Sequence, residues 1–167
     1  MTPPALQCLI ERMNAAVAAP PEELPRMVTA ALAESVAGDA WLPDEILRAS
    51  HDHYTRRLLY GDPGERYSIL VIVWGRQQQS PIHTHYTWCG VGIYRGELTE
   101  THYREEAAGK APAALGIRRC RAGELSFDLP LTGIHRIANL GDETAISLHV
   151  YGIGQQKITT GVNRILG

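Results

Sequence analysis

Apolar residues recur at helical spacing at the start of the chain. Leu6, Leu9, Ile10, Met13, Ala16 and Val17 place one stripe along an amphipathic helix, which must stop before Pro20 and Pro21. Leu24, Val28, Ala31 and Leu32 form a second stripe. It predicts a helix from about Pro21 to Val36, with Glu22 and Glu23 at its positive end and Gly38 closing it. Pro43, followed by Asp44 and Glu45, predicts a short third helix. These helices read as packing elements without chemistry of their own.

From His53 the pattern changes to short runs of β-branched residues broken by turns. Arg66 to Trp74 (RYSILVIVW) predicts a strand buried on both faces. Further strands are predicted near 81–87, 90–95, 98–104, 115–120, 124–128, 134–138 and 145–152. Turn signals lie between them at Gly61-Asp62-Pro63-Gly64, Arg95-Gly96, Gly109, Arg121-Ala122-Gly123 and Leu140-Gly141-Asp142. The expectation is a mainly β jelly-roll barrel over 53–160 with a helical cover over 1–50, making one domain of residues 1–167. Such a barrel has room inside for a metal and a small ligand.

Composition changes this picture mainly by exclusion. A formal net charge of −2 gives no reason to expect a nucleic-acid or anionic-membrane surface. The N-terminal MTPPALQCLIERMN lacks an apolar core after a basic start, and no apolar run is long enough to span a bilayer. Cys8, Cys89 and Cys120 are odd in number and lack zinc-type spacing, so a reducing cytoplasm is the expected compartment.

The chemistry is concentrated in Ser80 to Glu97. His83 and His85 are one residue apart in a β-rich segment, and alternate residues of a strand share a face, so both imidazoles can reach one metal ion. A third ligand is required, and His51, His53, His102, His135 and His149 are the candidates. His135 stands out because it lies in Pro130 to Asn139, a turn leading into a strand. That arrangement resembles the second metal motif of the cupin family, over Gly123 to Asn139, and His83 to Gly96 resembles the first. Two departures are visible. The glycine expected shortly before the first histidine is displaced to Gly75, and Cys89 stands where many cupins place a glutamate ligand. A thiolate at Cys89 could itself bind metal.

Within the cupins, the stretch from Tyr54 to Tyr151 resembles the cysteine dioxygenases. The resemblance rests on Tyr54-Thr-Arg56, Val73-Trp-Gly75, Pro81-Ile-His-Thr-His85, Arg95-Gly96, Ile134-His-Arg136 and Ser147-Leu-His-Val-Tyr151, in that order. It implies a ferrous (Fe2+) site on His83, His85 and His135, with Ser147, His149 and Tyr151 as a hydrogen-bonded series beside it. Animal members join a cysteine to the tyrosine by a thioether. Cys89 aligns with that cysteine, which makes a Cys89–Tyr151 crosslink a hypothesis, whereas many bacterial relatives have glycine there. The family's carboxylate-binding arginine falls on Arg56, where the related 3-mercaptopropionate dioxygenases carry glutamine. Strand alternation points the neighbouring Arg57 away. Tyr54 is a further candidate for the substrate carboxylate, and Thr84 replaces the aspartate common between the two histidines.

The implied activity is oxidation of L-cysteine with O2 to cysteine sulfinic acid. Three imidazoles bring no negative charge to the metal, unlike a two-histidine, one-carboxylate set, and a substrate thiolate can supply it. Trp88 reads as core more readily than as pocket wall, and His51, His53 and His102 as surface or packing residues. The competing readings are a dioxygenase of another small thiol such as 3-mercaptopropionate, a non-enzymatic metal- or ligand-binding cupin, and a zinc-dependent cupin isomerase.

Overall fold

The computed structural model describes residues 2–38 and 40–166. Helix α1 (Pro4–Ala18) starts on Pro4, whose missing N–H costs nothing in a first turn, and buries Leu6, Leu9, Ile10, Met13 and Ala16. Helix α2 (Leu24–Ala37) follows a single 3-10 turn at Pro21–Glu23 and buries Val28, Ala31, Leu32 and Ser35. The second stripe thus begins as a 3-10 turn where a regular helix from Pro21 was expected. The third expected helix is a turn, held by Ile46 N–H to the Pro43 carbonyl (2.9 Å) and Leu47 N–H to that of Asp44 (3.1 Å). Leu42 and Leu47 are buried, but the following Arg48 to His53 offers only the exposed Ala49 to extend a stripe, so nothing draws further turns onto the core.

Among the described residues ten strands form two antiparallel sheets. They are β1 (Thr55–Gly61), β2 (Ser68–Trp74), β3 (His83–His85), β4 (Cys89–Arg95), β5 (Glu97–Arg104), β6 (Ala113–Arg121), β7 (Leu125–Asp128), β8 (Ile134–Ala138), β9 (Ala145–Tyr151) and β10 (Asn163–Ile165). One sheet runs β1-β2-β9-β4-β7 and the other β10-β3-β8-β5-β6. Eight of these strands fall where the hydrophobic pattern places them. The pattern does not single out β1 (TRRLLYG), a half-buried edge with adjacent arginines, or β10, which has three residues.

Alternation in the first sheet divides the core in two. Ile69, Val71 and Val73 of β2 and Ile146, Leu148 and Val150 of β9 pack with α1 and α2 on the outer face. The intervening Leu70, Ile72 and Trp74, with Ser147, His149 and Tyr151, face between the sheets. Close approach of α2 to β4 depends on glycine: a Cβ at Gly90 would lie 2.5 Å from Val28 Cγ1, well inside van der Waals contact. No helix among the described residues is long and apolar enough to cross a membrane.

Candidate metal centre

His83 and His85 occupy the two ends of β3, whose three residues are all buried. Pairing of β3 with β8 sets His83 opposite His135, so a local His-x-His pair acquires its third imidazole from sheet register. Ligand nitrogens of the three all lie within 4.8 Å of one another, with ring centroids 4.6 to 5.2 Å apart. Cys89 is not part of this cluster. Its Sγ lies instead 4.0 Å from His149 Nδ1, and burial pushes its thiol well above the usual range.

Two hydrogen bonds fix the ring tautomers. His83 Nδ1–H donates to the Pro81 carbonyl (3.0 Å) and His135 Nδ1–H to the Glu100 carboxylate (2.7 Å). Each ring therefore presents the Nε2 lone pair. His135 Nε2 is buried without a hydrogen-bond partner among the described residues, a costly state unless something else occupies it. Three clustered imidazoles around an unsatisfied lone pair suit a divalent transition metal.

Burial is the main reason His83 and His85 stay neutral. It pushes His83 down to about 4 and His85 to about 2, each helped by neighbouring positive charge, and buried His149 falls to about 3. Burial also works against ionisation of Glu100, but its bond to His135 and nearby positive charge override this, and its carboxyl sits below the usual range.

A pH dependence follows for the metal-free protein. Below about pH 6.5 the unfolded chain protonates these three histidines, while the folded chain leaves them neutral to about pH 4 or lower. The unfolded state then binds more protons, so stability rises with pH across this window and is lost on acidification, by about 1.4 kcal/mol per pH unit per histidine. Thermal melts of metal-free protein should show Tm falling steeply between pH 6.5 and 4, with a shallower slope in His149→Gln. A flat profile would contradict neutral burial.

The second row of polar groups comes from β9. Trp74 Nε1–H donates to Ser147 Oγ (3.0 Å), Ser147 Oγ lies 2.8 Å from His149 Nε2, and His149 Nδ1 lies 3.1 Å from the Tyr151 hydroxyl. An indole can only donate, so Ser147 accepts from Trp74 and its own O–H is free to donate to His149 Nε2. In that arrangement His149 carries its proton on Nδ1 and donates to Tyr151, leaving the phenolic O–H free to point elsewhere. Leu70, Ile72, Val91 and Ile93 flank this row, and in such surroundings its bonds are strong. Burial holds the phenol well above its usual range, so Tyr151 stays a donor.

Arg56 opens into the cavity that the three histidines line, as do Tyr54, His149 and Tyr151. Its Nη2 donates to the Ile158 carbonyl (3.2 Å), and its Cζ lies 6.0 Å from the Tyr151 ring centroid. Arg57 leaves in the opposite direction and donates to the Arg48 carbonyl (3.1 Å). Tyr54 stacks on Trp74 at 4.6 Å. Trp88 packs with Phe127 against the helical side of the core, and His51 and His53 are exposed. Thr84 is buried with its hydroxyl unpaired.

The sequence pattern missed Glu100 and Trp74. Trp74 ends an apolar run and reads as filler, and Glu100 lies in an alternating strand (ELTETHYR) whose inward face is defined only by its partners.

A family model described as cysteine dioxygenase type I matches residues 26–159. Among solved structures, a conserved protein with a double-stranded β-helix domain from Klebsiella pneumoniae is 17% identical, with 78% of this chain and 98% of that chain covered, at a TM-score of 0.53. An rmlC-like cupin from Desulfovibrio desulfuricans is 15% identical (69% and 96% covered, TM-score 0.50). A cupin superfamily protein from Desulfitobacterium hafniense is 14% identical (71% and 94% covered, TM-score 0.50). The likeness to these structures establishes the jelly-roll fold expected from the strand pattern, and the match to the family model goes further. The chain belongs to the cysteine dioxygenase type I family, thiol dioxygenases of the cupin superfamily.

Proposed function

We propose that the protein is a non-haem iron dioxygenase that oxidises L-cysteine with O2 to cysteine sulfinic acid, within a single cupin domain. The observation that carries this reading is the presence of the Arg56 guanidinium in the same cavity as the three-histidine cluster and Tyr151. Ferrous iron held by His83, His85 and His135 would let a thiolate and ground-state dioxygen react, both oxygen atoms ending on sulfur.

The remaining work belongs to the chain. Neutral imidazoles leave the site's positive charge uncompensated, which favours a substrate that enters as a thiolate. Arg56 gives one N–H to Ile158, and its other donors are available to a carboxylate, which a guanidinium can grip with two parallel bonds. Tyr54, held flat against Trp74, lines the same cavity and would offer its hydroxyl to that carboxylate. The Trp74–Ser147–His149 series aims the Tyr151 proton at the reacting groups, making Tyr151 the catalytic hydroxyl and Ser147 and His149 its positioning residues. Apolar walls at Ile72, Ile93, Leu98 and Ile137 limit competing water.

Oxygen uptake by the ferrous protein should be fastest per unit concentration with L-cysteine when compared with cysteamine, 3-mercaptopropionate and homocysteine. Preference for 3-mercaptopropionate would move the assignment to that thiol. No uptake with any thiol would sink the dioxygenase reading and leave a metal- or ligand-binding cupin.

Cys89 and Tyr151 are directly opposite each other across β4 and β9, the register a thioether between them requires. Intact-protein mass after turnover with cysteine and O2 should reveal a species lighter by two hydrogens, absent from Cys89→Ala. An unchanged mass after many turnovers would show that the two side chains act without a covalent link.

A further inference from the structure

Glu100 is the buried carboxylate nearest the histidine cluster, and neither the dioxygenase reaction nor substrate binding described above uses it. It sits in the middle of β5, 6% exposed, in a position where an ionised side chain needs strong partners. Its two oxygens are divided. Oε1 accepts from His135 Nδ1 at 2.7 Å, while Oε2 faces His102 Nε2 at 3.5 Å and the Cys120 thiol at 3.9 Å. Strand pairing builds this arrangement: β5 lies between β8 and β6, with His102 opposite His135 and Glu100 opposite Arg118.

The histidines of the cluster are therefore held differently. His83 rests on a neutral carbonyl, whereas His135 rests on a carboxylate. A carboxylate behind an imidazole fixes its tautomer and makes the distal nitrogen a stronger donor. Many cupins bring a glutamate directly to the metal, and Cys89 occupies that place in this chain.

We propose that Glu100 is a positioning residue that acts through His135, locking its Nε2 toward the metal and returning to the site, from behind the ring, negative charge that imidazole ligands do not provide. The coordination positions a carboxylate ligand would have filled stay open for substrate. His102, with a side chain 45% exposed, sits at the outer end of this His135–Glu100–His102 line and is a minor contributor. The inference rests on the reading of His83, His85 and His135 as a metal site, but not on the identity of the thiol.

The test uses no thiol, so it stands or falls separately from the assignment of substrate. In metal-free wild type, nitrogen-15 shifts of the histidines should report His135 as the Nδ1–H tautomer. Finding the Nε2–H tautomer would overturn the proposal without any variant being made. Glu100→Gln keeps an acceptor for His135 but removes the charge, and Glu100→Ala removes both. Competition against a ferrous chelator under anaerobic conditions should show affinity reduced about 10- to 100-fold in Glu100→Ala, with Glu100→Gln between it and wild type. The iron potential should rise in both variants, because lost negative charge favours the ferrous over the ferric state. Wild-type affinity and potential in a folded Glu100→Gln would reduce Glu100 to a structural partner and sink the proposal. His102→Ala should change affinity less than either Glu100 variant, and a larger loss would contradict the assigned direction of the line.

Discussion

His135→Ala is expected to lose stoichiometric metal and to reduce thiol oxidation to background. His135 supplies a buried Nε2 with no other partner, and two imidazoles on one short strand remain without it. Outer-shell partners of metal ligands are worth about 10- to 100-fold in affinity, so loss of a ligand should exceed about 100-fold. Metal content after dialysis against a weak chelator and oxygen uptake with L-cysteine are the measurements. Retention of one metal per chain with normal uptake would place the site elsewhere.

The same variant carries a stability cost that His83→Ala does not. Removing His83 frees a backbone carbonyl, whereas removing His135 takes from the buried Glu100 carboxylate its one short hydrogen bond and leaves the longer contacts to His102 and Cys120. An uncompensated buried acceptor costs about 1–3 kcal/mol, and more when charged. Metal-free His135→Ala should therefore melt below metal-free His83→Ala at neutral pH. The gap should narrow on acidification, as protonation of Glu100 removes the stranded charge.

What the sequence revealed and what it concealed divide along one physical line. His83/His85 and Ser147/His149/Tyr151 were legible as common-face sets because strand alternation has a fixed period of two and is internal to one segment. Their meeting was not legible from that period alone. It needs the sheet that holds β3 to face the sheet that holds β9 across one cavity, with β8 bringing His135 against β3 from about fifty residues along the chain, and the family resemblance supplied that link. Glu100 escaped for the same reason. In ELTETHYR a glutamate between threonines reads as a solvent-facing position, and only its burial between β8 and β6 makes it chemically significant. The missing third helix is a different case: a proline and two acids announce a start, but no apolar stripe follows to hold one.

Arg56→Gln is expected to separate substrate recognition from metal chemistry. In the wild type one guanidinium N–H is taken by Ile158 and Arg56 lines the cavity, so under the proposed function a carboxylate would gain two charge-assisted bonds. Glutamine offers a neutral amide that cannot reproduce the fork. Loss of about 2–4 kcal/mol of charge-assisted bonding corresponds to about a 30- to 1,000-fold fall in kcat/KM for L-cysteine. Most of the loss should appear in KM, because the grip is present before and during the reaction. Part should appear in kcat, because a loosely held substrate presents its sulfur less accurately. Cysteamine lacks the carboxylate and serves as the internal control: its efficiency should change little, so the cysteine-to-cysteamine ratio collapses. The ratio of cysteine to 3-mercaptopropionate should also fall, toward the preference expected where glutamine occupies this position. Metal affinity should stay at the wild-type value, since Arg56 touches none of the three imidazoles through a hydrogen bond among the described residues. If cysteine efficiency stays within about threefold of wild type, a change of well under 1 kcal/mol, Arg56 does not hold the carboxylate. The case for cysteine over other thiols would then lose its principal support.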